Sequence, residues 1–298
     1  MGEKTGIEWC DSTFNPWVGC TKISPGCDNC YAEQLSKRWW GEEGLWSGSV
    51  RVAGDAMWRK PLSWNRAAAK SGKRHLVFCA SMSDVFDNQA PIAARERLFD
   101  LIKQTPALTW LLLTKRPQNF GKLLPADWGD GYKNVWLGVS VEDQRNGNIR
   151  IPHLLATSAA KRFISYEPAL GPINFRHIDA DGAGSKEFCQ INALTGKQSD
   201  MARPCPDVPR IDWIIAGGES GRHARPAKAE WFSALRDECA AASVPFFFKQ
   251  WGEWIPAGQR TSQGRLVITG PDKPPMQRVG KTCAGYKLDD QTHREFPQ

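Results

Sequence analysis

Seven short apolar segments recur along the chain, with polar loops and helical stretches between them. Continuous apolar runs of five to seven residues are typical of strands that are buried on both faces of a parallel sheet. Their alternation with helices predicts an α/β fold, a complete or partial TIM-like β/α barrel of about six to seven parallel strands. The predicted strands are Phe14–Cys20, His75–Ala80, Thr109–Thr114, Asn134–Ser140, Arg162–Tyr166, Asp212–Ala216 and Val244–Phe248. The predicted helices are Tyr31–Trp40, Ile92–Gln104, Pro117–Leu124, Arg150–Ala160 and Ala227–Ala242.

Polar and charged residues cluster directly after each predicted strand. In a β/α barrel these positions meet on the C-terminal face, where the active-site loops of such folds lie. The cluster comprises Cys20, Ser81, Asp84, Lys115, Arg116, Glu142, Glu167, Gly217-Gly218-Glu219 and Lys249. Mixed cations and carboxylates bind polar small molecules or move protons. The predicted catalytic residues are therefore Lys115, Glu142, Glu167 and Lys249.

Three cysteines, Cys20, Cys27 and Cys30, lie in one short segment with the spacing C-x6-C-x2-C. Three thiolates can ligate three irons of a [4Fe-4S] cluster and leave the fourth iron open, as in radical S-adenosylmethionine enzymes. Those enzymes usually have C-x3-C-x2-C with an aromatic residue just before the third cysteine. Here the first gap is longer, and Tyr31 follows the third cysteine. Zinc is the alternative metal, and its usual four ligands would require a contribution from Cys10, a histidine or a carboxylate.

A Gly-Gly-Glu element, Gly217-Gly218-Glu219, ends the sixth predicted strand. Two glycines at a strand end let a ligand approach the backbone closely, and a glutamate can pair with an ammonium group such as that of methionine. Radical S-adenosylmethionine enzymes use such an element for this purpose, although usually after the second strand. The predicted cofactor-binding residues are Gly217, Gly218, Glu219, Ser220 and Ser140. The following loop, Gly221–Pro226, is cationic and could bind a phosphate, a carboxylate or a nucleic acid backbone.

The cysteine count, the net charge and the lengths of the apolar runs limit the class of protein to which the chain can belong. Nine cysteines without a secretion signal argue against a disulfide framework and for metal binding by the clustered three. A formal charge of +7 permits binding to DNA or RNA, and the fourteen tryptophans could either stack on bases or fill a core. No apolar run approaches the length of a membrane span, so we expect a soluble, cytoplasmic protein without membrane contact.

The chain is predicted to consist of a barrel domain over residues 1–257 and a C-terminal hairpin and tail over residues 258–298. Residues 41–66 are rich in glycine and tryptophan and are predicted to form an excursion after the first helix. An insertion around 179–211 precedes the sixth strand, and its Cys189 and Cys205 could join a metal site.

Motifs distributed over nearly the whole chain are similar to those of one known family. They include Ile7-Glu8-Trp9, Asn15-Pro16, Gly26-Cys27, Cys30-Tyr31-Ala32-Glu33, Ser81-Met82-Ser83-Asp84, Leu112–Pro117, Trp136–Ser140, Glu167–Pro172, Gly217–Gly221, Ala224-Arg225-Pro226, Phe247–Gly252, Leu288-Asp289-Asp290 and Glu295-Phe296-Pro297. The chain resembles the phage- and prophage-associated proteins with an N-terminal three-cysteine motif, a family of unknown function. That resemblance implies a radical S-adenosylmethionine-like barrel and, through the phage association, modification of a nucleotide or nucleic acid.

Three hypotheses follow. The first is an iron–sulfur enzyme that binds a [4Fe-4S] cluster through Cys20, Cys27 and Cys30, binds S-adenosyl-L-methionine and uses an external electron donor. Its substrate would be a nucleobase, a nucleotide or a nucleic acid. The second is a zinc-stabilised module that binds nucleic acid without redox chemistry. The third is a barrel hydrolase or lyase that uses Glu142 and Glu167 as an acid/base pair.

Overall fold

The computed structural model describes residues 5–41, 45–46, 48–180, 189–199, 206–268 and 275–298. The strands within these ranges are β1 (Ser12–Phe14), β2 (Trp17–Val18), β3 (Arg51–Val52), β4 (His75–Cys79), β5 (Leu108–Thr114), β6 (Val135–Ser140), β7 (Lys161–Tyr166), β8 (Ile178–Asp179), β9 (Gln190–Asn192), β10 (Lys197–Ser199), β11 (Trp213–Gly217), β12 (Phe246–Gln250), β13 (Trp254–Pro256) and β14 (Met276–Arg278). The α-helices are α1 (Tyr31–Trp40), α2 (Asp55–Trp58), α3 (Lys60–Ser71), α4 (Ile92–Gln104), α5 (Phe120–Leu123), α6 (Gln144–Ala156), α7 (Ala229–Ala241) and α8 (Lys281–Ala284).

One sheet contains seven of these strands in the order β1-β4-β5-β6-β7-β11-β12. The pairs β1–β4, β4–β5, β5–β6, β7–β11 and β11–β12 are parallel. The order of the strands in the sheet follows their order in the chain, which is the arrangement found in β/α barrels. The predicted α/β class and the seven-stranded parallel sheet are confirmed, and the strand order is consistent with a partial barrel.

The first of two compact units comprises the described residues of Met1–Val139 and Ala156–Arg162. Its core is aromatic: Phe14 at the end of β1 is fully buried and packs edge-on against Trp58 at 5.4 Å and Trp110 at 5.6 Å. Helix α3 contacts β4, β5 and α4. These contacts hold α3 against β4 and β5, and the loops that follow these two strands lie beside the cysteine segment.

The second unit comprises the described residues of Ser140–Leu155 and Phe163–Gln298. Phe232 of α7 packs against Phe248 of β12 at 5.0 Å, so this helix covers one face of the strand. The C-terminal tail pairs with the same strand, because the Phe248 amide donates to the His293 carbonyl at 2.8 Å. The ring centre of Phe296 lies 5.2 Å from that of Trp213, so the tail also packs against β11. The predicted boundary between residues 257 and 258 stays a prediction.

Several predicted bounds differ from the structure. The strand predicted over Phe14–Cys20 is wrong in position: β1 ends at Phe14, and β2 pairs antiparallel with β3 instead. Pro16, which has no N–H to donate to a strand partner, lies between the two strands. Helix α6 begins at Gln144, six residues before its predicted start at Arg150, and contains Pro152. Its residues Ile151, Leu154 and Leu155 are buried, so packing outweighs weak helix propensity.

The segments outside the repeating pattern also have structure. Residues 41–66, predicted as an excursion, contain β3, α2 and the first half of α3. The predicted insertion contributes the antiparallel sheet β10-β9-β8, and the C-terminal part contributes the antiparallel pair β13–β14. Within the described ranges, no helix combines the length and apolar character needed to cross a bilayer.

Most tryptophan side chains are part of the buried core. Nine of the fourteen tryptophans are buried: Trp9, Trp17, Trp58, Trp64, Trp110, Trp128, Trp136, Trp213 and Trp251. Trp39 and Trp40, at the end of α1, are instead 49% and 40% exposed. Of the two readings that the sequence left open, core filling therefore accounts for most of these residues, and only a small group is available for stacking.

Candidate functional site

The three clustered cysteines lie on one loop of the first unit. Cys20 follows β2, Cys27 ends a 3-10 turn over Pro25–Cys27, and Cys30 immediately precedes α1. All three are free thiols of intermediate exposure. The Cys27 amide donates to the Ser24 carbonyl at 2.8 Å, which closes the turn. The loop therefore presents three sulfur donors that are neither in disulfides nor fully buried.

Burial is the main influence on the pKa values of Cys20 and Cys30. Burial, followed by the charge of Asp84, raises the pKa of Cys20 to about 12. Burial also raises the pKa of Cys30, which packs against the apolar cluster of Val18 and Met82. Cys27 contributes to the raised pKa of both neighbours, so it lies within electrostatic reach of each.

No three His, Cys, Asp or Glu side chains in the described part of the chain are gathered closely enough to hold a metal ion. The donor set itself suits a thiophilic metal, because three thiols share one loop and Cys27 lies within electrostatic reach of both others. Binding would have to displace the thiol protons and bring the sulfur atoms together.

A buried ionic network stands beside Cys20. The Arg116 guanidinium lies 3.0 Å from Asp84 and 3.2 Å from Asp87, and all three side chains are buried. Arg116 Nη2 also donates to the carbonyl and the hydroxyl of Thr21, at 2.6 Å each. Asp87 accepts from the Thr21 amide at 3.0 Å and from its hydroxyl at 2.9 Å. The residue after Cys20 is thus held from two sides.

A second set of hydrogen bonds fixes the other end of the loop. The Asn15 side chain donates to Ser81 Oγ at 3.0 Å and accepts from the Met82 amide at 2.8 Å. The Tyr31 hydroxyl donates to the Ser81 carbonyl at 2.7 Å. The loop after β4 therefore anchors both the residues that precede the cysteine loop and the first residue of α1.

Lys115, a predicted catalytic residue, belongs to the same unit as the cysteines. Its amide donates to Asp84 Oδ2 at 3.1 Å, which joins it to the Arg116 network. Its positive charge lies close enough to Cys30 to oppose, in part, the rise that burial causes in the pKa of that thiol. The first unit thus brings Lys115 and the three cysteines into one electrostatic neighbourhood.

The remaining predicted catalytic residues are in the second unit, where each carboxylate has a cation as partner. Lys249 Nζ donates to Glu167 Oε1 at 2.7 Å, and both side chains are mostly buried. Glu142 is fully buried and pairs with Arg150 Nη1 at 2.8 Å. The same Arg150 nitrogen donates to the carbonyl of Ser140 at 2.8 Å. Glu142 and Ser140 are therefore joined by one arginine, whereas Glu167 and Lys249 form a separate pair.

The Gly-Gly-Glu element has partners within the protein. A Cβ at Gly218 would lie 2.0 Å from the Trp251 carbonyl oxygen, so backbone packing alone requires glycine there. Glu219 is buried, and its carboxylate accepts from Arg225 Nη2 at 2.6 Å, from Arg225 Nε at 2.9 Å and from the Arg225 amide at 2.8 Å. Ser220 Oγ accepts from Gln250 Nε2 at 2.9 Å. Arg225, predicted to bind an external anion, thus neutralises the glutamate of its own loop.

Cys189 and Cys205 are the other predicted metal ligands, and both belong to the predicted insertion. The Cys189 thiol donates to Gln198 Oε1 at 2.9 Å, across the β9–β10 pair. Cys205 lies outside the described residues. The structure therefore gives Cys189 a local hydrogen-bonding partner and leaves the two-cysteine site a prediction.

Sequence reasoning missed Asp87 and Thr21, and it placed Arg116 in the polar cluster after the strands without giving it a role. Arg116 and Thr21 are 95 positions apart, and no spacing rule joins residues that far apart in the chain. A partial signal was present in the polar residues after β4 and β5, because parallel neighbours end at the same edge of a sheet. Glu219 and Arg225 are opposite charges six positions apart, so that pair could have been predicted.

A family model described as "Protein of unknown function (DUF5131)" matches residues 4–297 of the chain. No curated protein and no solved structure matches the chain. The family match spans both compact units and includes every candidate site residue described above.

Proposed function

The chain belongs to the DUF5131 family of proteins of unknown function, and from its own residues we propose that it is a radical S-adenosylmethionine-type iron–sulfur enzyme on a partial TIM-like barrel. Cys20, Cys27 and Cys30 would hold three irons of a [4Fe-4S] cluster. When bound, the cluster would supply the electron that cleaves S-adenosyl-L-methionine to a 5′-deoxyadenosyl radical. The substrate class is a nucleobase, nucleotide or nucleic acid, and an external donor supplies the electron.

One observation carries the proposal: the three partly exposed, unbridged thiols share a loop anchored at both ends by hydrogen bonds. Unbridged, partly exposed thiols on an anchored loop are available to bind a metal. Three cysteines also match the cluster, which leaves one iron open, better than a closed zinc site with four protein ligands.

The residues of the second unit would bind and orient the polar reactants. We assign Gly217, Gly218, Glu219, Ser220 and Ser140 to S-adenosylmethionine binding. Glu219 already receives three hydrogen bonds from Arg225, so an ammonium group that takes over this pairing would require Arg225 to move. The Arg225 side chain is 35% exposed, which gives it room to do so. Glu167 and Lys249, held 2.7 Å apart, can hold or pass a proton to a bound substrate, and Lys115 offers a cation near the cysteines.

The test is anaerobic purification followed by measurement of iron, sulfide and zinc per chain. The proposal predicts about four irons and four sulfides in the wild-type protein. Cys27→Ala should lose the cluster, because no other thiol of the loop can replace the missing ligand. Cys283→Ala is the matched control: Cys283 has comparable exposure but lies in α8, and its loss should leave the iron content unchanged. Full iron in Cys27→Ala would contradict the ligand assignment.

A second candidate function, a zinc-stabilised nucleic-acid-binding protein, has one observation in its favour. Trp39 and Trp40 are exposed at the end of α1, and the Arg51 guanidinium lies 5.4 Å from the centre of the Trp40 ring. Exposed indoles beside cations suit stacking with unpaired bases and contact with phosphates. This candidate predicts zinc in place of iron and a steep salt dependence of binding to a single-stranded oligonucleotide. Trp40→Ala should weaken that binding, whereas Ile92→Ala, at an apolar residue that is 71% exposed, should not.

A further inference from the structure

Arg116 occupies a position that packing alone does not explain. Its guanidinium is buried, and two buried carboxylates pair with it, Asp84 with Nη1 and Asp87 with Nη2. Burying three charges is costly unless each is paired and hydrogen-bonded, and such groups are often kept for a specific role.

The network acts on the loop through the residue that follows Cys20. Arg116 Nη2 donates to both oxygens of Thr21, and Asp87 accepts from the Thr21 amide and hydroxyl. Four hydrogen bonds therefore fix Thr21, at distances between 2.6 and 3.0 Å. Because Thr21 is bonded directly to Cys20, these contacts also fix the backbone that carries the first thiol.

Arg116 also reaches the sulfur atom itself. Its Nη1 lies 3.9 Å from Cys20 Sγ, while the thiol donates its own proton to the Thr21 carbonyl at 3.5 Å. A cysteine that binds a metal has lost that proton, so its sulfur becomes an acceptor only. Arg116 Nη1 is then a charged donor already within contact distance of an anionic sulfur.

We propose that Arg116 is a positioning residue for the first cluster ligand: it fixes Cys20 through Thr21 and donates a hydrogen bond to the ligating sulfur. This inference rests on the proposed function. Hydrogen bonds to cluster sulfurs and nearby positive charge favour the reduced, more negative state of an iron–sulfur cluster. Arg116 therefore raises the reduction potential of the cluster and partly offsets the charge of Asp84 and Asp87.

The test is a redox titration of the reconstituted wild-type protein and of Arg116→Gln, Arg116→Lys and Arg95→Lys, each with its iron content measured. Arg116→Gln removes the positive charge and the two donor nitrogens, Nη1 and Nη2, that contact Asp84 and Thr21. It should shift the equilibrium toward the oxidised cluster about tenfold, which is about 59 mV to lower potential for one electron. Arg116→Lys keeps the charge between the aspartates but loses the fork, so its potential should fall between those of the wild type and Arg116→Gln.

Arg95→Lys is the matched control. Arg95 is another buried arginine of the first unit, but it donates to the backbone carbonyls of Val85, Asp87 and Ala90 and not to Cys20 or Thr21, and lysine keeps its charge near the two aspartates. Its replacement should leave the potential unchanged. If Arg116→Gln does not retain a cluster, the reduction potential of Arg116→Lys is compared with that of the wild type instead.

The outcomes separate this inference from the proposed function. A wild-type protein that binds no iron–sulfur cluster refutes both. A wild-type cluster with an unmoved potential in the Arg116 variants, or an equal shift in Arg95→Lys, refutes only the role of Arg116. A potential in Arg116→Lys equal to the wild-type value would show that charge alone matters and would refute the donated hydrogen bond.

Discussion

The buried pair of Glu142 and Arg150 offers a test of whether Glu142 is a catalytic or a structural carboxylate. Glu142 is fully buried, and Arg150 Nη1 lies 2.8 Å from its Oε2. Arg150→Met removes the guanidinium, keeps a side chain of similar length and leaves a carboxylate in the interior without its cation. The backbone carbonyl of Ser140 loses a donor in the same variant.

The expected cost follows from that burial. Breaking a buried ion pair by removing one partner costs about 3 to 5 kcal/mol, since the remaining charge has no compensation. Removing both charges together is often neutral. We therefore expect Arg150→Met to lower the free energy of unfolding by about 4 kcal/mol, and Glu142→Met combined with Arg150→Met to recover all but about 1 kcal/mol of that loss.

The assay is urea unfolding of the wild type, both single variants and the double variant, followed by tryptophan fluorescence and circular dichroism. Two probes are needed because a single free energy of unfolding is defined only if the transitions seen by both probes coincide. A loss below about 1 kcal/mol in Arg150→Met, or a double variant no better than the single one, would refute the structural role of the pair.

Three further predictions concern packing and pH. Phe296→Ala should lower the free energy of unfolding by about 2 kcal/mol in urea melts, because it removes the ring that packs against β11. Gly218→Ala should lower the free energy of unfolding by at least about 3 kcal/mol, since its Cβ would meet the Trp251 carbonyl oxygen at 2.0 Å. Gly121→Ala is the control: nothing lies within 4 Å of its Cβ, so it should leave the free energy of unfolding unchanged or raise it. Burial lowers the pKa of His75, so the unfolded chain takes up its proton at higher pH than the folded one. Stability should then fall as pH drops below about 6.5, and melting temperatures at pH 7.5 and 5.5 should differ less in His75→Gln; an equal difference would contradict this assignment.

The sheet could be predicted because its strands are continuous apolar runs. Trp110, Leu111 and Leu112 in β5 are fully buried, so burial selects the same residue types that identify a strand in sequence. The first strand was misplaced because Phe14 and Trp17 are both buried, and only the proline between them separates the parallel β1 from the antiparallel β2. Hydrophobicity alone does not tell which neighbour a short strand pairs with.

The candidate site was predicted less completely than the sheet. Local spacing identified the cysteine loop, since its three thiols are close in sequence. The partners that hold it, Arg116 and Asp87, come from other loops, and long-range ion pairs leave no periodic trace in a sequence. The role assigned to Glu219 from the letters Gly-Gly-Glu did not anticipate that Arg225 would occupy its carboxylate. A sequence motif shows which side chains are present, whereas the fold decides which other side chains they pair with.

The measurement that tests the central claim most directly is the metal and sulfide content of the anaerobically purified protein, with its visible absorption spectrum. The account predicts about four irons and four sulfides per chain and an absorption that dithionite bleaches. It also predicts that Cys20→Ala, Cys27→Ala and Cys30→Ala each lose the cluster. Zinc in place of iron would contradict the account and favour the zinc-stabilised nucleic-acid-binding alternative. A folded wild-type protein without metal would contradict both.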